Sequence, residues 1–284
     1  MGDEVPAELV ESLEATAREV RRDIVRMTYA AGNGYPGGSL SVADLVTALL
    51  FREMRVDPER PAWPDRDRLV LSKGHAAPAL YSALALRGFL RREELLTLRQ
   101  FGSRLQGNPD RIRLPPVEVS TGGLGQGIGM AVGIALDGRL DRRPTRVYAI
   151  VGDGECQAGG TWEALLAGAH YRLENLVVLV DRNGFESDGP TETILSIEPV
   201  AEKLRAFGYR ALEIDGHDFR EILEALATAR STTEGPTAIV ARTVKGKGVS
   251  FMENTHVWHG RVPTKDEAER ALIELGVPPG EAAR

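Results

Sequence analysis

The sequence predicts an α/β fold with a mostly parallel sheet and helices on both faces. In the second half of the chain, four apolar runs, at 146–151, 176–181, 209–214 and 237–242, alternate with helical patterns at 160–172, 196–207 and 218–230. Runs such as 176–180 are continuously apolar, which is typical of parallel strands covered on both faces.

The first half of the chain is predicted to be mainly helical. Residues 7–31 carry apolar side chains at helical spacing, and a helix-stop signal, Gly32-Asn33-Gly34, follows them. Ser41 is expected to be the N-cap of a second helix that runs to residue 50. We further expect a strand at 67–72, helices at 76–87 and 91–101, and a long polar loop at 102–120. No linker is evident, so residues 1–284 are interpreted as one domain with a helical N-terminal portion.

Composition excludes several classes of function. The chain has 35 basic and 41 acidic residues and a net charge of −6, which argues against binding to nucleic acid. No run approaches the ~18 apolar residues of a membrane span. Residues 1–10 do not have the pattern of a signal peptide, and Cys156 is the only cysteine. We therefore expect a cytoplasmic protein.

The strongest local motif is Gly152-Asp153-Gly154, which follows an apolar strand and precedes a helix. The next predicted strand leads into Asn183. Ligands of parallel sheets bind at the carboxyl ends of the strands, and carboxylate, amide and carbonyl oxygens suit Mg²⁺. A lone Gly-Asp-Gly is equally compatible with a surface turn, but the added Asn183 favours a metal–diphosphate site. The chain contains neither a P-loop nor a Gly-x-Gly-x-x-Gly motif.

This pair of motifs matches the thiamine-diphosphate signature, and further segments resemble the N-terminal half of transketolase. They occur in the order of that family and span nearly the whole chain. The resemblance is closest to split transketolases, in which this half is a separate subunit. The matching segments are DRLVLSKGH at 67–75, STGGLGQG at 120–127, DGHD at 215–218, TVKGKG at 243–248 and WHG at 258–260.

The resemblance implies a set of site residues. Asp153, Asn183 and the Phe185 carbonyl would bind Mg²⁺. Substrate-facing and catalytic positions would be His75, His259, Tyr35 and Asn108. The thiamine diphosphate would be bound by nine residues, namely His75, Gly122, Leu124, Gly152, Asp153, Gly154, Glu155, Asn183 and His259.

Three positions depart from the family pattern. Tyr35 and Asn108 stand where transketolases usually have histidines that face the donor sugar. Both keep hydrogen-bonding capacity but do not titrate near neutrality. Ala158 replaces a glutamate that helps to link the active sites in the family. The first two changes together suggest an unusual substrate.

The implied activity is transfer of a two-carbon ketol unit from a ketose donor to an aldehyde-type acceptor, in specialised biosynthesis. The family's catalytic glutamate lies in a pyrimidine-binding domain that the matched region does not include. The enzyme, a transferase, is therefore expected to need a second subunit carrying that domain, in an α2β2 assembly.

Other interpretations stay open from the sequence. The changes at Tyr35 and Asn108 would also fit transfer of an acetyl unit from a 2-oxo acid such as pyruvate. The alpha subunit of a 2-oxo-acid dehydrogenase shares the metal motif, and a non-catalytic regulatory subunit would explain the departures. Cys156 is expected to be a buried apolar residue, whereas His217 and Lys245 could serve either structure or ligand binding.

Overall fold

The computed structural model describes residues 5–282. Five strands form one sheet in the order β1-β2-β3-β5-β4, and every neighbouring pair is parallel, as predicted. The strands are β1 Arg68–Leu71, β2 Val147–Gly152, β3 Leu176–Arg182, β4 Arg210–Asp215 and β5 Thr237–Arg242. The apolar runs of the second half are all strands: β2, β3 and β5 are buried on both faces, whereas β4 lies at the edge of the sheet and is only partly buried.

Helices cover both faces of the sheet. The first ends at Gly32, whose φ of 56° is the left-handed conformation that the predicted stop signal requires. The α-helices are α1 Ala7–Ala31, α2 Pro36–Ala48, α3 Ala77–Leu86, α4 Gly127–Leu140, α5 Gly159–His170, α6 Thr191–Ile194, α7 Val200–Ala206, α8 Phe219–Ser231, α9 Lys265–Glu274 and α10 Pro279–Ala282.

Two predicted elements are wrong. Ser41 is not an N-cap, because α2 begins five residues earlier at Pro36, whose fixed φ suits the first turn of a helix. Ser41 is instead buried in the helix, and its hydroxyl group donates to Asp181. The predicted helix at 91–101 is only a short 3₁₀ segment, Arg92–Thr97, before the chain enters the long loop.

The alternation of side chains along the central strands divides the core into two clusters. Tyr148, Ile150 and Leu179 face the side covered by α1, α2, α3 and α8. Ala149 and Val178 face the other side, which α4, α5 and α7 cover. Because helices cover both faces of the sheet, the loops that follow the strands are exposed at its carboxyl end.

In the described part of the chain, no helix has both the length and the apolar character needed to cross a membrane. The expectation that the chain lacks a signal peptide concerns residues 1–10, of which 1–4 lie outside the described residues.

Candidate active site

The two motif strands are neighbours in the sheet. In the β2–β3 register, Gly152 is opposite Asp181. Asp153 and Asn183 therefore follow their strands at the same carboxyl end of the sheet. The sequence order alone predicts only that both lie at carboxyl ends, and the register brings them together. They line one cavity with Phe185, which is also a predicted metal ligand.

The oxygens of this cavity fit a hard divalent cation. The Asp153 carboxylate is buried and is fixed by the backbone N–H groups of Gly154 and Gly184, at 2.8 and 2.6 Å, and by Arg182 at 3.0 Å. Burial and the nearby Asp181 carboxylate raise the pKa of Asp153, so a cation would stabilise its ionised form. Residues 5–282 contain no cluster of three or more His, Cys, Asp or Glu able to hold a metal by themselves. Mg²⁺ would therefore need the amide and carbonyl oxygens, and a diphosphate, beside the one carboxylate.

A buried ion pair lies beneath the cavity. The Lys73 ammonium group contacts the Asp181 carboxylate, and both side chains are at most 1% exposed. Burial alone would raise the pKa of Asp181, but Lys73 and hydrogen bonds from Thr243 and Ser41 lower it. Because the pair is fully desolvated, removal of either partner would leave an uncompensated buried charge.

Lys245 brings a second positive charge to the wall of the cavity. Its ammonium group donates to the carbonyl oxygens of Phe185 at 3.2 Å and Glu186 at 2.9 Å, and it lies 3.1 Å from His259 Nδ1. Burial, with Lys73 nearby, lowers the pKa of Lys245 to about 8. Because Lys73 is already paired with Asp181, Lys245 is the cavity lysine that has no carboxylate partner in the described part of the chain, and its charge can offset that of a diphosphate.

Three aromatic rings stand at the outer side of the cavity. Tyr35 lies edge-on to His75 and His259, with ring centroids 5.6 and 5.5 Å apart, and the two histidines are separated by 5.0 Å. Burial and nearby lysines hold the pKa of His75 well below its ordinary value and lower that of His259 to about 4. Both imidazoles are therefore neutral at pH 7 and can donate from one nitrogen and accept at the other.

The long loop places Asn108 against Gly122, and Asn108 is not part of the cavity lining. Gly122 has a φ of +146°, and a Cβ there would lie 3.0 Å from Asn108 Cγ, so the glycine permits the close approach. The backbone at Asn108 is fixed by the Tyr81 hydroxyl group, which donates to the Asn108 carbonyl at 3.1 Å. Leu124 lines the cavity and is 43% exposed.

Glu155 borders the cavity, but its carboxylate is buried against the protein. It accepts hydrogen bonds from the Ser72 hydroxyl group and from the N–H groups of Gly125, at 2.9 Å, and Gly152, at 3.1 Å. Its three partners lie after β1, in the glycine-rich loop and at the end of β2. Glu155 thus ties together the segments that surround the cavity.

The remaining residues that the sequence analysis singled out have structural contacts in the fold. Cys156 is buried, as predicted, and burial raises the pKa of its thiol. His217 lies away from the cavity, where its Nδ1 is 2.6 Å from Asp44 and its Nε2 accepts from the Val244 N–H at 2.8 Å. Ala158 is the residue before α5, and its Cβ is 3.1 Å from where a Cβ of Gly125 would stand.

Sequence reasoning did not assign Lys73, Asp181, Arg182 or Glu186 to the site. The sequence did contain a signal for the two site lysines. Only five of the 35 basic residues are lysines, and Lys73 and Lys245 both follow strands, where ligands of parallel sheets bind. No pattern indicated Arg182 or Glu186, since their roles depend on how the strand-end loops fold over the cavity.

The enclosed part of the cavity is small, about 100 Å³. Typical small-molecule sites occupy roughly 300–1,000 Å³. This volume suits a diphosphate group better than a whole cofactor, and the exposed Leu124 extends the site outward.

The comparisons with known proteins identify the family of the chain. Residues 12–283 match the family model described as "Transketolase, thiamine diphosphate binding domain". The chain is 41% identical over 266 residues to an apulose-4-phosphate transketolase subunit of Phocaeicola vulgatus, with 94% of each chain covered. It is also 41% identical over 263 residues to the 6-deoxy-6-sulfo-D-fructose transketolase subunit SqwG of Clostridium sp., covering 93% of this chain and 96% of the relative.

Solved structures give the same assignment. The transketolase from Leishmania mexicana superposes with a TM-score of 0.89 at 32% identity, and the match covers 94% of this chain but only 42% of that one. The chain thus spans less than half of a transketolase with all its domains, whereas it matches the separate subunits over nearly their whole length. The chain therefore belongs to the transketolase family, as the N-terminal, thiamine-diphosphate-binding subunit of a split transketolase.

Proposed function

We propose that the chain, with a partner subunit, transfers a two-carbon ketol unit from a ketose donor to an aldehyde acceptor. The observation that carries the proposal is the cavity at the ends of β2 and β3, in a chain that matches split transketolase subunits over nearly their whole length. The names of both relatives point to sugars with a terminal anion, a phosphate or a sulfonate. We therefore propose an anionic ketose, with a sugar phosphate as the first candidate.

Asp153, Asn183 and the Phe185 carbonyl would hold Mg²⁺ together with the diphosphate of the cofactor. Support comes from their common cavity and from the Arg182 and backbone contacts that fix the Asp153 carboxylate before any ligand binds. Lys245 lies at the same wall and would neutralise the remaining charge of the diphosphate. Bound thiamine diphosphate supplies a carbanion that can attack a carbonyl group.

The rest of the cofactor would lie toward Gly122 and Leu124, with their backbone groups beside the aminopyrimidine ring. Gly152 and Gly154 would line the diphosphate, since neither has a side chain to block the approach. Glu155 would act on this region through its hydrogen bond to Gly125.

The substrate would meet the ring cluster of Tyr35, His75 and His259, and Asn108 would approach it from the long loop beside Gly122. The neutral histidines would accept or donate single protons at the hydroxyl groups of the sugar. Tyr35 would orient a hydroxyl group through its phenol without titrating at neutral pH.

A partner subunit carrying the pyrimidine-binding domain would complete the site, in an α2β2 assembly. The small, open cavity supports this, because one side of the bound cofactor would otherwise face solvent. We place the assembly in the cytoplasm, where phosphorylated sugars are metabolised.

A second candidate is transfer of an acetyl unit from a 2-oxo acid such as pyruvate. It is favoured by Tyr35, since a phenol does not titrate near neutral pH and does not exchange protons with a hydroxylated donor as a histidine at this position would. The three oxygen ligands and two buried lysines argue against a purely regulatory subunit, which would not need them.

The test is donor consumption by the chain with its co-purified partner, in the presence of Mg²⁺ and thiamine diphosphate. Ketose phosphates and pyruvate would be compared by mass spectrometry. We expect ketose consumption that requires both proteins together with an aldehyde acceptor. If pyruvate were consumed and the ketose phosphates were not, acetyl transfer would be the activity in place of ketol transfer. If the cofactor bound but neither donor were consumed, both proposed activities would be contradicted.

A further inference from the structure

Glu186 is a charged residue of the cavity to which the proposed chemistry gives no role. It directly follows the Phe185 carbonyl, and its Cβ lies 2.8 Å from where a Cβ of Gly154 would stand. Glu186 therefore packs on the Gly-Asp-Gly turn and lines the same cavity as Asp153 and Asn183. Glu186 adds a third acidic residue to the lining of this cavity, beside Asp153 and Glu155.

The two oxygens of this carboxylate differ. Oε2 accepts only a long hydrogen bond from the Ser187 hydroxyl group, at 3.4 Å. Oε1 is buried and has no hydrogen-bond partner within the described part of the chain. Of the buried polar side-chain atoms that lack a partner there, it alone belongs to a residue of the cavity. A buried polar atom left unpaired is destabilising, so a partner for it is expected.

The neighbouring cation cannot readily provide that partner. Lys245 has three N–H groups and three acceptors already, namely the carbonyl oxygens of Phe185 and Glu186 and the Nδ1 of His259. A diphosphate oxygen is itself an acceptor and would repel the carboxylate. A water molecule can supply the missing donor, and a water ligand of a divalent cation is the strongest such donor because the ion polarises its O–H bonds. Mg²⁺ keeps such waters when it binds to proteins.

We propose that Glu186 is an outer-sphere partner of the divalent cation, accepting a hydrogen bond at Oε1 from a water ligand of the ion. This inference rests on the proposed function, because it takes Asp153, Asn183 and Phe185 as the direct ligands. Glu186 thereby strengthens cation binding without a direct bond to the metal. Partners of this kind commonly contribute a factor of about 10–100 to metal affinity.

The test uses the full chain, together with its partner, and the substitution Glu186→Gln, which keeps the shape of the side chain and removes its charge. Asp188→Asn is the matched control, because it makes the same charge change two residues further along, at an exposed position. Mg²⁺ affinity is measured by equilibrium dialysis of thiamine diphosphate across a Mg²⁺ titration. The number of water ligands is measured with Mn²⁺, by water-proton relaxation.

We expect Glu186→Gln to weaken Mg²⁺ binding by about 10-fold or more, with an unchanged number of waters on Mn²⁺ and unchanged thermal stability without metal. One additional water on Mn²⁺ would make Glu186 a direct ligand and overturn the proposal. Wild-type Mg²⁺ affinity in the variant, or an equal loss in Asp188→Asn, would also overturn it. If the wild-type pair of proteins bound the cofactor without any need for a divalent ion, the proposed function itself would fail, which is a separate outcome.

Discussion

Glu155 Oε1 accepts a hydrogen bond of 2.9 Å from the backbone N–H of Gly125, and so joins the metal motif to the glycine-rich loop. The other oxygen of the same carboxylate accepts from the Gly152 N–H at the end of β2. One buried side chain thus sets the spacing between the two segments proposed to hold the diphosphate and the aminopyrimidine ring. Glu155 therefore has a positioning role that its place beside Asp153 in the sequence does not reveal.

Replacing Glu155 by Ala is expected to weaken thiamine diphosphate binding by about 10-fold or more, because the Gly125 and Gly152 N–H groups lose their acceptor. Inorganic diphosphate with Mg²⁺ should lose less affinity, since the proposed metal ligands follow β2 and β3 and do not belong to the glycine-rich loop. Competition binding of the two compounds measures the difference. Glu163→Ala, at an exposed position of α5, is the control. Equal losses for both compounds would show that Glu155 does not act through the glycine-rich loop.

Asp153→Asn is expected to reduce Mg²⁺-dependent binding of thiamine diphosphate by on the order of 100-fold, since a neutral amide is a poor ligand for Mg²⁺. The asparagine can still accept the Gly184 N–H, so the fold should persist. Asp153→Ala would leave both Gly184 and Arg182 without this partner and should also lower stability. Calorimetric titration and thermal unfolding of both variants separate these effects. Wild-type affinity in Asp153→Asn would refute the assignment of the metal site.

The central strands β2, β3 and β5 were predictable from the sequence because their burial on both faces leaves a nearly unbroken apolar pattern. The start of α2 was not, since Ser41 has the composition of an N-cap but bonds to Asp181 on β3, a contact between residues 140 positions apart. Helix-capping rules consider only residues that are near in the sequence, so they cannot predict a hydrogen bond to a distant strand.

The candidate site shows the same division. Asp153 and Asn183 could be found because both directly follow apolar strands. The buried Lys73–Asp181 pair and the orphaned oxygen of Glu186 depend on the β2–β3 register and on the packing of the loop at 183–190. No spacing rule in the sequence contains that information.

His259 is expected to make the protein less stable in acid. Burial and the neighbouring Lys245 lower its pKa to about 4 in the folded protein, against an ordinary value of 6.5. As the pH falls below 6.5, the unfolded chain takes up a proton that the folded site resists, so stability is lost until the pH reaches about 4. Between pH 7 and pH 5 this partly buried group should cost about 1–2 kcal/mol.

The measurement is urea unfolding of the wild type and of His259→Asn at pH 7 and pH 5, in the absence of cofactor. The asparagine variant should lose less stability over this interval, because it has no group that titrates. The comparison cancels the contributions of the histidines that lie away from His259. An identical loss in both proteins would mean that His259 is not buried as described.

Tyr35→His is expected to raise turnover of a ketose phosphate by about 10-fold or more, because it supplies a proton-transfer group beside His75 and His259. The histidine is smaller than the tyrosine, so the change should fit without displacing either ring. Tyr35→Phe is the matched control, since it keeps the ring and removes only the hydroxyl group. Rates with a ketose phosphate and with pyruvate would be measured for all three proteins at saturating cofactor. If Tyr35→His lowered ketose turnover while Tyr35→Phe abolished it, the phenol itself would be the group that the natural donor needs, and the tyrosine would be an adaptation to that donor rather than a loss of histidine chemistry.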